Sequence, residues 1–207
     1  GYSLSGWKGV AGGNVPIGAG LSSSAAFELA IARAFTSVGN CEWDPLEMAR
    51  FCQRAENEWV GMNCGIMDQT ISALGQAGNA LFLDCRSLET LQVKMPDNLQ
   101  IAVMDTGTRH ELVDSAYNER RLQCEKAAAF FEVKALRDLS LENLLSSEKE
   151  LDPVVFRRAR HVVTENQRVL SFIKALENGN PEKAGQLMNE SHQSLRDDFE
   201  VSSQALD

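Results

Sequence analysis

A run of glycines and serines near the start of the chain has the residue types of a phosphate-binding loop. Its central residues are Gly18, Ala19, Gly20, Leu21, Ser22, Ser23 and Ser24. Glycine lets the backbone approach a bulky anion closely, and the serines lead into a predicted helix whose first N–H groups have no partners within the helix. These N–H groups, the hydroxyls and the positive end of the helix dipole suit the phosphates of a nucleotide.

Two well-known nucleotide loops do not fit this run. A Walker A loop needs a lysine after its glycines, and the dinucleotide fingerprint needs a third glycine at a fixed offset. The plain alternative is an N-capped helix that follows a flexible turn. The full string from Pro16 to Ala26 favours phosphate binding over that alternative.

A carboxylate occupies a position where the sequence predicts core. At about 100° per residue, Leu46, Cys52 and Trp59 share one face of the helix predicted over 46–60, and Glu56 falls within that face. A buried ionised carboxylate costs on the order of several kcal/mol unless it is paired. The partner is either an Arg or Lys elsewhere in the chain or Mg²⁺, which binds one or two carboxylates together with phosphate oxygens.

Two further residues are candidates for contact with a polar substrate. Asp68 lies in the first turn of a short helix predicted after Gly65, where the helix dipole stabilises a carboxylate. It is either an exposed capping residue or a base that faces a hydroxyl group. Tyr117 begins a later helix, where its hydroxyl either binds a polar ligand or its ring simply packs.

Helices and strands are mixed along the chain without a regular β-α-β alternation. The apolar spacing and the capping residues predict helices over 22–38, 44–60, 65–74, 115–133, 141–145, 153–178 and 181–195. Alternating residues predict strands over 80–84, 91–95 and 99–103, and residues 1–20 read as strand and loop. This order favours an α+β fold over a doubly wound sheet, with a domain boundary near residue 95.

Composition excludes several classes of protein. The chain has 207 residues, 43% of them hydrophobic, and a net charge of −9, which disfavours nucleic-acid or anionic-membrane partners. No apolar run approaches the ~20 residues that span a bilayer. The five cysteines are scattered without a C-x-x-C pair, which indicates a reducing, cytoplasmic setting without zinc. The start at Gly1, without an initiator Met, leads us to expect a piece of a longer protein.

Five strings in order resemble the galactokinases, a branch of the GHMP small-molecule kinases. The first, residues 16–25, resembles the second GHMP motif, and the others resemble galactokinases at residues 53–69, 83–89, 115–121 and 190–198. The resemblance covers nearly the whole chain. It implies the GHMP-kinase fold, with 1–95 part of a ribosomal-protein-S5-like N-terminal ATP-binding domain and 96–207 part of a ferredoxin-like C-terminal domain, both incomplete.

The resemblance also implies a reaction, the ATP-dependent phosphorylation of the anomeric hydroxyl of galactose to α-D-galactose 1-phosphate. It assigns the ATP phosphates to Gly18–Ser24, Mg²⁺ to Ser24 and Glu56, and the role of base to Asp68. The residues that it assigns to the sugar are Gly65, Asp68 and Tyr117. The implied partners are galactose and ATP, and the implied state is a cytoplasmic monomer.

Two motifs of the family are absent from these residues. One is the Gly-Glu-His-Thr-Asp-Tyr string together with the Arg that faces the catalytic Asp, and the other is a Gly-rich third motif. We therefore expect the isolated chain to have little or no kinase activity. A kinase for N-acetylgalactosamine, arabinose or a uronic acid is one alternative. A non-catalytic relative that senses sugar and ATP is another, which the intact Ser22–Ala26 and Asp68 disfavour.

Overall fold

Side-chain caps fix where the main helices begin. Asp44 Oδ1 accepts hydrogen bonds from two N–H groups of the first helical turn at 2.9 Å, and Pro45 is the first helical residue. Asp152 and Asn180 cap two later helices in the same way, and each is again followed by proline. The oxygen satisfies N–H groups that lack partners within the helix, and proline has no N–H to satisfy. These three predicted helix starts are confirmed.

The computed structural model describes residues 5–62, 64–107 and 113–207, the side chains of 113–117 excepted. Two units meet between Met95 and Pro96, and we call them unit 1 and unit 2. Unit 1 contains α1 (Ser23–Val38), α2 (Pro45–Ala55), a π-helical turn (Glu56–Val60), α3 (Met67–Leu74), β1 (Asn79–Leu83) and β2 (Thr90–Lys94). Unit 2 contains α4 (Val113–Phe130), a 3₁₀ turn (Leu136–Asp138), α5 (Leu141–Ser146), α6 (Pro153–Glu177) and α7 (Pro181–Asp197). No helix in these ranges is long and apolar enough to cross a membrane.

The core of unit 1 lies among its three helices. Leu29 of α1 packs with Met48 and Cys52 of α2, and each of the three is at most 6% exposed. Strands β1 and β2 pair antiparallel and lie beside α3. The side chain of Gln92 joins this pair to the helix, since its Nε2 donates to the Leu74 carbonyl at 2.8 Å. The packed helices thus fix the positions of the residues at their ends.

Two predicted elements differ from the structure. The helix predicted to run α-helically to residue 60 changes to a π-helical turn at Glu56 and ends at Gly61, whose φ is 83°. The strand predicted over 99–103 is wrong, because these residues form no regular element. A strand needs a neighbour to pair with its N–H and C=O groups. Within the described ranges the sheet consists of β1 and β2 alone, so residues 99–103 have no such neighbour.

Ion pairs that each have one buried partner hold the C-terminal segment of unit 2 against α6. Arg158, 5% exposed, donates to the backbone oxygen of Asp198 and pairs with the carboxylate of Glu200. Arg160 pairs with the Asp198 carboxylate. The sequence favours a solvated or capping role for Asp198, but the structure leaves it only 9% exposed. A buried carboxylate of this kind is tolerated because a guanidinium compensates its charge.

His161 packs against the same segment as a neutral ring. Its ring stacks on Phe199 with centroids 4.5 Å apart, and its Nδ1 lies 2.9 Å from the Ser194 hydroxyl. Burial lowers the pKa of His161 to about 4, an effect that the charge of Asp198 opposes. The ring therefore contributes packing and a hydrogen bond to unit 2, and it stays uncharged at neutral pH.

We expect His161 to make unit 2 less stable in acid. An unfolded histidine binds its proton below a pKa of 6.5, whereas folded His161 binds one only below about 4. Between these values the folded state binds fewer protons, so the free energy of unfolding rises with pH. The variant His161→Gln should reduce this rise, measured by hydrogen exchange of α6 amides at pH 4.5 and pH 7. The exposed His192→Gln is the control, and an equal pH dependence in wild type and His161→Gln would contradict the expectation.

Candidate functional site

The backbone of the glycine–serine loop adopts conformations that leave the start of α1 uncapped. The φ angles of Gly18, Gly20 and Ser22 are 72°, 70° and 56°, all in the left-handed region. Ser22 is the N-cap residue, yet its hydroxyl accepts no hydrogen bond from the helix. Within the described ranges, the side-chain cap expected from a plain N-capped helix is therefore not formed. The first N–H groups of α1 remain available to an anion.

The loop is open to solvent. Ile17 is 89% exposed, and both Gly18 and Gly20 are exposed. A methyl group added at Gly20 would meet no atom within 4 Å, so the positive φ and not crowding calls for glycine there. The loop thus combines a fixed backbone shape with free access for a ligand.

A pair of carboxyl groups lies beside the start of α1. Glu28 follows Ser24 by one helical turn, so both side chains lie on the same face of α1. Besides burial, the charge and side-chain proximity of Glu56, which begins the π-helical turn, raise the pKa of Glu28, so the two carboxyl groups lie close together. The structure therefore brings the predicted metal residue Glu56 to the face of α1 that carries Ser24. We call Glu28 and Glu56 the carboxylate pair.

Among the described residues, no cation balances the carboxylate pair. Glu56 is only 4% exposed, and no described Lys, Arg or His side chain forms an ion pair with it. Glu28 Oε2 is buried and has no hydrogen-bond partner among the described residues. Burial raises the pKa of Glu28 to about 7, and the charge and hydrogen bond of Glu56 add to the effect. Of the two partners that the sequence left open for Glu56, the described residues do not supply the Arg or Lys.

This donor set fits a Mg²⁺ ion that is bound together with phosphates. Mg²⁺ usually takes only one or two carboxylates from a protein and fills its other positions with water and phosphate oxygens. No group of three or more His, Cys, Asp or Glu side chains that could hold a metal occurs among the described residues. The carboxylate pair beside the Ser24 hydroxyl has the composition that such a shared site requires.

Glu28 is a site residue that the sequence analysis missed. On a helical wheel of α1 it falls about 40° from Ala32 and about 60° from the buried Ala25, at the edge of the face that carries Ala25 and Leu29. The signal that identified Glu56, an acidic residue on a largely apolar face, was therefore also present in α1.

Asp68 and Gly65 lie at the start of α3. Asp68 is half-buried in the first turn, next to the buried side chains of Gln69 and Thr70. Thr70 Oγ1 donates to the Ile66 carbonyl at 2.8 Å, which fixes this turn. Gly65 is exposed, and its N–H donates to no described residue. Neither the Gly65 N–H nor the Asp68 carboxylate has a hydrogen-bond partner among the described residues.

One predicted residue belongs to unit 2. Tyr117 belongs to α4 in unit 2, and its side chain lies outside the described residues. Its assignment to the sugar therefore stays a prediction. The site described by the structure consists of the loop, the carboxylate pair and the start of α3, all in unit 1.

We expect Glu28 to make unit 1 less stable as pH rises. Folded Glu28 keeps its proton up to a pKa of about 7, whereas the unfolded residue loses it near 4.5. Between these values the folded state binds more protons, so the free energy of unfolding falls as pH increases. In Glu28→Gln, which is neutral throughout, that fall should disappear. Urea unfolding at pH 5 and pH 8 measures it, followed by tryptophan fluorescence because all three tryptophans belong to unit 1.

A matched control is Glu42→Gln, which neutralises an exposed carboxylate of the same unit. Its pH dependence should equal that of the wild type. If the stability of wild-type unit 1 fell no more between pH 5 and pH 8 than that of Glu28→Gln, the raised pKa of Glu28 would be contradicted.

Comparison with known proteins relates the chain to one family and to galactokinases. Residues 5–76 match the family model described as GHMP kinases N terminal domain. The chain is 51% identical over 201 residues to the galactokinase of Pasteurella multocida (strain Pm70). This alignment covers 96% of this chain and 52% of that relative. The crystal structure of Lactococcus lactis galactokinase complexed with galactose matches with a TM-score of 0.84 and 33% identity, over 94% of this chain and 52% of that one. The chain thus spans about half the length of these relatives.

Proposed function

Since the chain is a galactokinase homologue of the GHMP kinase family, we propose that it forms the phosphate-binding and proton-accepting part of a sugar 1-kinase. The reaction transfers the γ-phosphoryl group of ATP to the anomeric hydroxyl of galactose and yields α-D-galactose 1-phosphate and ADP. The observation that carries the proposal is the pair formed by the buried Glu56 and the half-buried Glu28, which has no compensating cation among the described residues and lies near the uncapped start of α1.

The glycine–serine loop binds the phosphates of ATP in this proposal. Free N–H groups at the start of α1 donate to phosphate oxygens, and the helix dipole adds a partial positive charge. The left-handed backbone at Gly18, Gly20 and Ser22 sets the shape of the loop before ATP arrives. A preformed set of donors stabilises the charge of the transferring group without reorganisation during the reaction.

Ser24 and Glu56 are the residues that would hold Mg²⁺, with Glu28 beside them. When bound, Mg²⁺ supplies positive charge that neutralises the phosphates. The chain contributes the position of the two oxygen ligands, because α1 and the π-helical turn are both fixed by the core of unit 1. Burial of Glu56 keeps its carboxylate in place and limits competing water.

Asp68 accepts the proton of the sugar hydroxyl. The anomeric oxygen forms a bond to the γ-phosphorus, the bond from that phosphorus to the ADP oxygen breaks, and the hydroxyl proton passes to the Asp68 carboxylate. Phosphoryl transfer has a largely dissociative transition state, so alignment of the hydroxyl matters as much as proton removal. The Gly65 N–H, together with Tyr117, would hold the sugar ring during this step.

Galactose is the proposed substrate because the relatives named above are galactokinases. No described residue favours N-acetylgalactosamine, arabinose or a uronic acid over it. None of the five cysteines, all of which lie in the described ranges, forms a disulfide, which supports the cytoplasmic setting proposed here. The full-length enzyme is proposed to act as a monomer.

In the full-length protein, Asp68→Asn should lower kcat by about 10²- to 10⁴-fold, the usual contribution of a positioned base. The KM for ATP should stay within about threefold, because the loop that binds ATP is unchanged. Steady-state assays of ADP release measure both constants. The control is Asp97→Asn, a change at an exposed position of unit 2. A kcat for Asp68→Asn within a few-fold of the wild type would remove Asp68 from the role of base.

The 207-residue chain by itself should release little or no ADP in response to galactose. It spans 52% of the length of its galactokinase relatives, so the remainder of the sugar and adenine sites is expected from residues beyond these. A coupled ADP assay on the isolated chain checks this, with the full-length protein as the positive control. Robust galactose-dependent turnover by the isolated chain would show that the described residues suffice.

A further inference from the structure

Two amide side chains form hydrogen bonds with the backbone of Cys64, one at its carbonyl and the other at its N–H. Gln53 Nε2 donates to the Cys64 carbonyl at 3.2 Å, and Asn57 Oδ1 accepts from the Cys64 N–H at 3.0 Å. Gln53 and Asn57 are four residues apart where α2 passes into the π-helical turn, so both reach the same segment. We call Gln53 and Asn57 the amide clamp. Gln69 of α3 adds a weaker contact from its Nε2 to the Cys64 sulfur at 3.9 Å.

The bond from Gln53 fixes more than Cys64. The Cys64 carbonyl and the Gly65 N–H belong to one peptide group, which is planar and trans. Their C=O and N–H bonds therefore point in opposite directions, and holding the oxygen sets the direction of the N–H. A donor bound to the carbonyl oxygen also polarises the peptide and strengthens its N–H as a donor.

Gly65 itself does little to restrain this peptide. It has no side chain, its backbone is permissive, and a methyl group added there would meet no atom within 4 Å. Its N–H makes no hydrogen bond to a described residue. The bond from Gln53 is thus a side-chain restraint that acts directly on the peptide carrying this exposed donor. The Cys64 N–H, which belongs to the preceding peptide, donates both to Asn57 Oδ1 and to the Met62 carbonyl at 2.8 Å.

From this geometry we propose that Gln53 is a positioning residue that aims the Gly65 N–H at the sugar. The inference rests on the proposed function, in which that N–H binds galactose. Gln53 touches neither substrate in this account and acts only through the peptide group between Cys64 and Gly65. Asn57 assists by holding the preceding N–H, and it follows Glu56 in the same turn, so one short segment positions both the metal ligand and the sugar donor.

The test replaces Gln53 by methionine, which keeps the length of the side chain and removes the donor. In the full-length protein, Gln53→Met should raise the KM for galactose about tenfold, the factor that one net hydrogen bond contributes. The kcat and the KM for ATP should stay within about twofold, because an N–H that binds the sugar equally before and during the reaction affects KM alone. Calorimetric titration with galactose should show the same rise in Kd without any turnover.

The matched control is Gln92→Met. Gln92 also donates from Nε2 to a backbone carbonyl in unit 1, that of Leu74 at 2.8 Å, but it belongs to β2 and lies outside the proposed site. This variant should lower the thermal midpoint and leave the KM for galactose unchanged. Should Gln53→Met fail to fold, Gln53→Glu takes its place. The Glu side chain is nearly the same size as that of Gln, but its carboxylate has no donor and repels the Cys64 carbonyl.

The outcomes separate the two proposals. A wild type that neither binds nor phosphorylates galactose overturns the proposed function and this inference with it. An active wild type whose Gln53 variants keep the KM and Kd for galactose within twofold overturns this inference alone. Equal shifts in Gln53→Met and Gln92→Met also overturn it, because a general loosening of unit 1 would then explain the change.

Discussion

The contact between Glu28 and Glu56 is the constraint on which the site of unit 1 depends. Two carboxyl groups in a partly buried setting cannot both ionise without cost, and Glu28 responds with a pKa raised to about 7. Such a pair lowers the stability of the fold unless a bound ligand compensates its charge. A ligand that brings positive charge removes the repulsion and satisfies the buried Oε2 of Glu28. The uncapped start of α1, one turn away, has the opposite polarity and suits the anion that accompanies such a cation.

Much of the helical framework follows from local sequence, and the exceptions have a physical cause. The helices that Asp44, Asp152 and Asn180 begin were predictable, because an N-cap and a following proline act within a few residues. The strand expected over 99–103 depended on a pairing partner, which alternation cannot reveal. The π-helical turn at Glu56 was also missed, because the apolar period there is compatible with an ordinary α-helix.

Some residues of the site could be predicted from the local sequence, whereas their contacts depend on residues that are distant in the chain. Glu56 was found because an acidic residue on an apolar face is visible on a helical wheel, and Glu28 carries a similar signal. Their contact could not be foreseen, since it depends on how α1 and α2 pack. The bond from Gln53 to Cys64 crosses eleven residues and joins a side chain to a backbone oxygen. No residue pattern encodes such a bond, so only the structure could indicate that Gln53 orients the Gly65 peptide.

A buried carboxylate of unit 2 is paired with a guanidinium group, whereas that of unit 1 has no such partner among the described residues. This difference distinguishes a structural carboxylate from one that is proposed to bind a ligand. In unit 2, Arg158 and Arg160 compensate Glu200 and Asp198, and the paired groups hold one segment against α6. In unit 1, Glu56 is buried like Asp198, yet its described neighbour is another carboxyl group. A purely structural carboxylate gains stability from a guanidinium, and replacing either partner of such a pair is costly. The carboxylate pair lacks that arrangement among the described residues, which is the state expected of a site that is completed by its ligand.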